Sequence, residues 1–387
     1  MHVADVDSGD TLARVVDLLW PDAVVTASDP PKGTERSYRL RVFPDPSAPR
    51  LFLPVTGRRA SARVAAASSS TTSRVLRLSR GVLAATAGTA RTAVPGALVT
   101  IAGADGHDLT TRLREATGLP VAALTVRLGS PRPNRKPVLV LHAVDGRCLG
   151  FGKVGWTPLT RSLVRHEGDT LVRLSDAPFR VIRVPRVLAR LEWGPASVLV
   201  LEYLRGWPRR HPPVALLCDA VRDLTETLGS RRAVLGTSGY AQRLGKRVDC
   251  LAPSPEARRL ADGVTRMLEV HGDRELRFAR WHGDFRPWNM APRRGRLGLW
   301  DWERSSSDVP VGLDLVHFHH AARRGSIARP ADGPTTAPRR LGLDGAAAPA
   351  LRACHLVELA LRYLGDADGE PDTGRTAALL DALDTVV

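Results

Sequence analysis

Lysine is nearly missing from this chain: of 56 basic residues only Lys32, Lys136, Lys153 and Lys246 are lysines, and the rest are arginine. The arginines are spread along the whole length and do not gather into a tail or a basic helix. The net charge of +16 therefore reads as compositional bias, alongside much Ala, Gly, Pro and Val, and not as a nucleic-acid footprint. Cysteine is scarce as well. Cys148, Cys218, Cys250 and Cys354 are scattered without metal-type pairing, which fits a reducing compartment. No apolar run approaches the roughly 20 residues of a membrane-spanning helix, and the opening MHVADVDSGD lacks the basic and apolar regions of a signal peptide. The expected location is the cytoplasm.

What is present suits a soluble protein of more than one domain. The 387 residues, 43% apolar and 25% charged, are enough for two or three real cores. Residues 1–118 read as a small α/β region. DTLARVVDLLW (Asp10–Trp20) has helical apolar spacing, SYRLRVF and RLFLPV read as strands, and a helix-compatible stretch from Arg58 is interrupted by SSSTTS. GALVTIAG is a further strand, and DLTTRLREATG a helix closed by Gly118. From Leu124 the pattern becomes strand-rich: LTVRLG, VLVLHAV, a turn at Asp145-Gly146, then RCLGFGKVG with Lys153. A helical stretch with Glu167 follows, and FRVIRVPRVLARLEW with ASVLVLEYLRG completes an antiparallel set. Beyond Trp207-Pro208 the spacing predicts helices over Pro213–Leu228, Pro255–Val270, Leu313–Arg323, Pro349–Leu364 and Thr373–Leu383.

One segment breaks that helical run. WHGDFRPWNMAPRRGRLGLWDWE (Trp281–Glu303) presents His282, Asp284, Asn289 and Asp301 among tryptophans. It is either a hairpin that is merely polar or a loop–strand–loop carrying a metal ion and a reacting hydroxyl. Asp284 alone could be a turn residue; the ordered set with Asn289, Asp301 and the GLDL helix favours chemistry. His282 and Asp314 read as scaffold rather than as reacting groups. Glu303 is either a second metal contact or an exposed hairpin carboxylate. Trp281, Trp288, Trp300 and Trp302 read as core packing, with one of them a candidate for lining an acceptor pocket. The HFHH run, His317–His320, has no carboxylate near it in sequence, which argues against a metal site.

These motifs carry a resemblance. HGDFRPWN resembles the catalytic loop, LWDWE the metal-binding aspartate motif and GLDLVHF the following helix of the aminoglycoside phosphotransferase and choline kinase group of the protein-kinase-like fold. The resemblance runs from about Leu124 to the end, and its first part rests on one lysine, one glutamate and strand order. It implies an α+β, two-lobed architecture: a small antiparallel β N-lobe over 119–206 and a helical C-lobe over 207–387, with the extra α/β region at 1–118.

The implied activity is ATP- and Mg²⁺-dependent transfer of a phosphoryl group to a hydroxyl of a small molecule. Such transfer needs in-line positioning and neutralised charge more than covalent work by the protein. Asp284 would orient the acceptor hydroxyl, and Arg286 would stabilise charge on the transferred group. Asn289 and Asp301 would ligate Mg²⁺ through hard oxygens. Lys153 would grip the phosphates, held by Glu167, since a compact ammonium suits that task. Ser130, in the loop Gly129–Pro137, could contact the phosphates, and the backbone of Glu202 or Leu204 could meet the adenine. That loop has no GxGxxG, Gly283 stands where many protein kinases have arginine, DWE replaces DFG, and no APE-type segment follows. A protein substrate is thus the lesser version. The expected partners are a nucleotide and a small hydroxyl acceptor, neutral or anionic at least as readily as polycationic given the +16 balance. The acidic GDADGEPD (Gly365–Asp372) reads as a solvated loop. The alternative is a catalytically silent kinase-like module that binds nucleotide or acts as a scaffold.

Overall fold

The computed structural model describes residues 8–26, 37–56, 60, 63–64, 96–102, 107–204, 212–322, 341, 345–366 and 373–387. It is α+β, as expected, and its contacts cluster into two compact units. One comprises Met1–Gly168 with Pro185–Leu204, the other Asp169–Val184 with Arg205–Val387. The SSSTTS run and the stretch beyond Arg58, save Ala60, Arg63 and Val64, lie outside the described residues.

The first unit is built on a sheet. Helix α1 (Ser8–Leu19) precedes strands β1 (Val24–Thr26), β2 (Ser37–Phe43), β3 (Leu51–Pro54) and β4 (Ala97–Ala102). After helix α2 (Leu109–Thr117) come β5 (Ala123–Leu128), β6 (Pro137–His142), β7 (Cys148–Gly155) and helix α3 (Pro158–Leu174); β9 (Val187–Trp193) and β10 (Ala196–Glu202) complete the set. These form one nine-stranded sheet in the order β1-β4-β2-β3-β5-β6-β7-β10-β9. All of its pairings are antiparallel. The division expected at residue 118 is not a break in this sheet, because β3 pairs with β5 (Leu51↔Arg127, Phe52↔Val126). Those pairs cover backbone groups that would otherwise be a bare edge.

The reasons are local. The SYRLRVF alternation buries Leu40 and Val42 on one face of β2. Helix α2 starts at Asp108, whose carboxylate accepts from Thr111 N at 2.9 Å, and ends at Gly118 with φ +66°, a left-handed cap glycine adopts without a Cβ penalty. Val15 and Leu19 of α1 and the following Trp20 pack into the core with Phe52, Leu139 and Val198, and Trp193 Nε1 donates to Leu18 O at 2.6 Å.

The second unit contains short strand β8 (Ile182–Arg183), helix α4 (Val214–Thr227), strand β11 (Ser230–Val234), and helices α5 (Gly239–Asp249) and α6 (Pro255–His271). Strands β12 (Glu275–Trp281), β13 (Met290–Arg293), β14 (Arg296–Leu299) and β15 (Ser306–Pro310) follow, then helices α7 (Leu313–Ala322), α8 (Ala348–Asp366) and α9 (Thr373–Asp384). All five helices expected beyond Trp207 form. Helix α5 and the β11-β12-β15 sheet were not legible: β11 is mostly exposed, and α5 carries two glycines and three basic residues. Strand β8 also leaves the expected antiparallel set and pairs in parallel with β14 (Leu297↔Ile182). Asp223 on α4 holds it there by accepting from Val181 N at 2.7 Å and Ile182 N at 2.8 Å. No described helix is long and apolar enough to cross a membrane, and all four cysteines are free.

Candidate active site

Strand β12 ends at Trp281, and the chain turns sharply through His282-Gly283-Asp284. His282 N and Gly283 N donate to the two Asp314 oxygens at 2.8 and 3.1 Å, so the start of α7 braces the turn. Gly283 has φ +81°, and a Cβ there would overlap the Arg304 carbonyl; no other residue fits without rebuilding the loop. His282 accepts from Asp284 N through Nδ1 at 3.2 Å, and its Nε2 lies 3.1 Å from Trp300 O. A backbone N–H at Nδ1 sets the tautomer, and Nε2–H then donates to the carbonyl. His282 thus joins this turn to the end of β14.

The β13–β14 hairpin brings the chain at Asn289 alongside the chain at Asp301. Met290 pairs with Leu299, and Trp300 N donates to Asn289 O at 3.1 Å. Residues immediately before β13 and immediately after β14 therefore lie side by side at the open end, opposite the Arg293–Arg296 turn. The segment is both a hairpin and a site scaffold. Asp301 has φ +73°, uncommon for a residue with a side chain and costing about 1 kcal/mol.

Asp284 is the most heavily contacted group. Its Oδ2 accepts from Asn289 Nδ2 at 2.7 Å. Its Oδ1 lies 2.7 Å from Arg286 Nε, 3.3 Å from Arg362 Nη1 and 3.2 Å from His317 Nε2. Burial alone would raise this carboxyl; the Arg286 and Arg362 guanidiniums outweigh it and hold Asp284 well below the usual range. Asp314, by contrast, is pushed up to about 7 by burial against the pull of its two N–H bonds.

Asn289 spends its amide nitrogen on Asp284 O and Oδ2 at 2.9 and 2.7 Å, so Oδ1 is the atom it could offer a cation. Glu303 is buried, not an exposed hairpin carboxylate, and its carboxylate approaches that of Asp301 to within 4.8 Å. An amide oxygen and two carboxylates are a hard-oxygen donor set of the kind a small divalent cation takes. Of the tryptophans, Trp281 and Trp302 are core, whereas Trp288 is exposed and carries the Arg286 guanidinium 5.4 Å from its ring centre.

In the first unit, Lys153 on β7 meets Glu167 on α3, with Nζ 2.7 and 2.5 Å from the two carboxylate oxygens. Glu167 is fully buried and the lysine side chain 11% exposed. Ser130 sits exposed in the loop after β5. Glu202 N is committed to Arg186 O at 2.9 Å, and Leu204 is buried two residues on.

Two groups around Asp284 were not anticipated. His317 reads in sequence as one of a histidine run with no assigned role, yet α7 carries it to Asp284. Arg362 on α8 donates to Gly283 O at 2.6 Å as well as facing Asp284. A signal existed: His355, Glu358 and Arg362 recur at helical spacing within a largely apolar helix. The GDADGEPD reading changes too, because Gly365 and Asp366 end α8 and Asp366 pairs with Arg304, both side chains 16% exposed.

No family model matches the chain, and no curated protein does. Several solved structures are similar. Aminoglycoside phosphotransferase APH(4)-Ia in complex with ADP and hygromycin B is 13% identical over 72% of this chain and 97% of its own, with a TM-score of 0.49. Choline kinase LicA from Streptococcus pneumoniae is 14% identical over 72% and 98%, at 0.48. Amicoumacin kinase hAmiN with AMP-PNP, Ca²⁺ and amicoumacin is 14% identical over 67% and 87%, at 0.45.

Proposed function

We propose that the protein is a phosphotransferase that moves the terminal phosphoryl group of ATP, with Mg²⁺, to a hydroxyl of a small molecule. The observation that carries this reading is the joint placement of Asp284, Arg286 and Asn289 on one braced loop, with Asp301 beside Asn289.

Mg²⁺, when bound, neutralises phosphate charge and fixes phosphate geometry. Asn289 Oδ1 and the Asp301 carboxylate would hold it, with Glu303 in reach of the same position. Asp284, held so far toward its charged form, is a weak proton acceptor in the resting enzyme. Its task is to orient the acceptor hydroxyl and stabilise the proton as it leaves late in a loose transition state. Arg286 would place positive charge against the transferred oxygens, and Lys153, fixed by Glu167, would hold the remaining phosphates. Adenine would meet the Glu202 carbonyl or the Leu204 backbone, since the Glu202 N–H is already spent; Ser130 could add a hydroxyl to the phosphates.

One observation favours a second reading, a silent nucleotide-binding module: both Asp284 oxygens are already engaged. Thermal unfolding with ATP, with and without Mg²⁺, separates the readings when paired with a phosphoryl-transfer screen over hydroxyl acceptors. The enzyme should show a magnesium-dependent shift, about 2.7 kcal/mol at a hundred times the dissociation constant, lost in Asp301→Ala. It should also show turnover lost in Asp284→Ala. A shift without turnover supports the silent module; no shift at saturating nucleotide removes both.

A further inference from the structure

Helices α7 and α8 bring two buried imidazoles to the catalytic loop. His317 Nδ1 lies 3.0 Å from His355 Nε2, and His317 Nε2 lies 2.9 Å from Arg286 Nε and 3.2 Å from Asp284 Oδ1. The His320 ring also packs on His355, centroids 5.4 Å apart.

These contacts constrain where the protons sit. A guanidinium only donates, so the Arg286 Nε–H must face acceptors. A proton on His317 Nε2 would set two donors against each other at 2.9 Å. A proton on Nδ1 removes that conflict: His317 donates to His355 Nε2, and its bare Nε2 shares the Arg286 Nε–H with Asp284. Burial keeps the imidazoles neutral, with His317 pushed down to about 3 and His355 well below its usual value.

The effect falls on Arg286. Its Nε is fixed by His317 and Asp284 and its plane lies over Trp288. Among the described residues its two terminal amino groups have no hydrogen-bond partner, so an aimed fork is left for an anion with two oxygens to offer.

We propose that His317, in its Nδ1–H form and backed by His355, is a positioning residue that aims the Arg286 fork at the terminal phosphate of the bound nucleotide. This rests on the phosphotransferase reading. His317 acts through Arg286 and does not itself touch the reacting atoms.

The test compares Mg²⁺·AMP-PNP with Mg²⁺·ADP binding in the full chain, by titration calorimetry, for wild type, His317→Leu, His317→Gln, Arg286→Ala and the Arg286→Ala/His317→Leu double variant. Side-chain ¹⁵N NMR reports the histidine tautomers independently of any ligand. Wild type should prefer the triphosphate analogue. His317→Leu should lose about tenfold of that preference with ADP affinity unchanged, as expected when one charge-assisted contact is misaimed. His317→Gln, whose amide oxygen can accept in place of Nε2, should keep most of it. In the Arg286→Ala background the leucine substitution should do nothing further, an outcome that loss of packing alone would not produce. His317 carrying its proton on Nε2, or an undiminished triphosphate preference in His317→Leu, would overturn the proposal. Wild type binding neither nucleotide would instead remove the phosphotransferase reading, and this inference with it.

Discussion

Replacing Lys153 with methionine removes the ammonium and keeps most of the apolar stem, leaving Glu167 fully buried opposite a thioether. Breaking a buried pair from one side costs about 3–5 kcal/mol, because a desolvated charge loses its counter-charge. For a unit of this size about 1 kcal/mol corresponds to roughly 2–4 °C, so the first unit should melt roughly 6–20 °C lower. Adding Glu167→Leu removes the stranded carboxylate and should return most of that stability, since well-packed apolar replacements of a buried pair are often neutral or better. Nucleotide affinity should stay lost in both variants, which separates the structural and functional parts of the pair. Circular dichroism melts with matched nucleotide titrations read both quantities. The reasoning is refuted if the single variant melts with wild type, or if the double variant is less stable than the single one.

The other predictions concern the loop brace and pH. Gly283→Ala forces a Cβ onto the Arg304 carbonyl at φ +81° and should cost about 2–4 kcal/mol, measurable by urea unfolding; a neutral result would mean the loop lies differently. Asp314→Asn sets an amide N–H₂ against one of two backbone donors and should cost about 2–4 kcal/mol with loss of turnover; unaltered kinetics would remove Asp314 from the brace. His142 is buried against Thr125, and burial pushes it down to about 4. Its folded value lies below the unfolded one, so the unfolded chain takes the proton first. Its contribution is whole above pH 6.5 and fades as pH falls to about 4, by up to about 3 kcal/mol. His142→Gln should flatten that part of the stability profile, and an unchanged slope would count against the buried neutral imidazole.

Legibility in the sequence followed the range of the forces involved. SYRLRVF shows its period because one face of β2 is buried, and Pro255–Val270 shows its boundaries through the Ser254 cap and N-terminal proline. The spacing of Asn289 and Asp301 is local, because one hairpin separates them. What stayed hidden depends on distant segments. Strand β11 has no apolar pattern and exists because β12 pairs with it. The pairing of β8 with β14 joins residues more than a hundred positions apart. His317 and Arg362 meet Asp284 only after α7 and α8 pack together, and in sequence each looks like one more basic residue in an arginine-rich chain.

The route of the backbone bears on how the protein is made. Residues 169–184 belong to the second unit, although chain on either side of them belongs to the first. On the ribosome that stretch emerges long before what completes it: Asp223 arrives 41 residues after Ile182, and Arg296, which donates to the Ile182 carbonyl at 2.8 Å, arrives 114 residues after it. Until Asp223 is made the amides of residues 181 and 182 lack their acceptor, so a nascent chain halted near residue 204 holds the whole first unit but only residues 169–184 of the second. The nine-stranded sheet has all its strands by then and can assemble during synthesis, whereas the second unit must wait for the β13–β14 hairpin. Completing the candidate site and finishing the fold of that unit therefore depend on the same late-made segments.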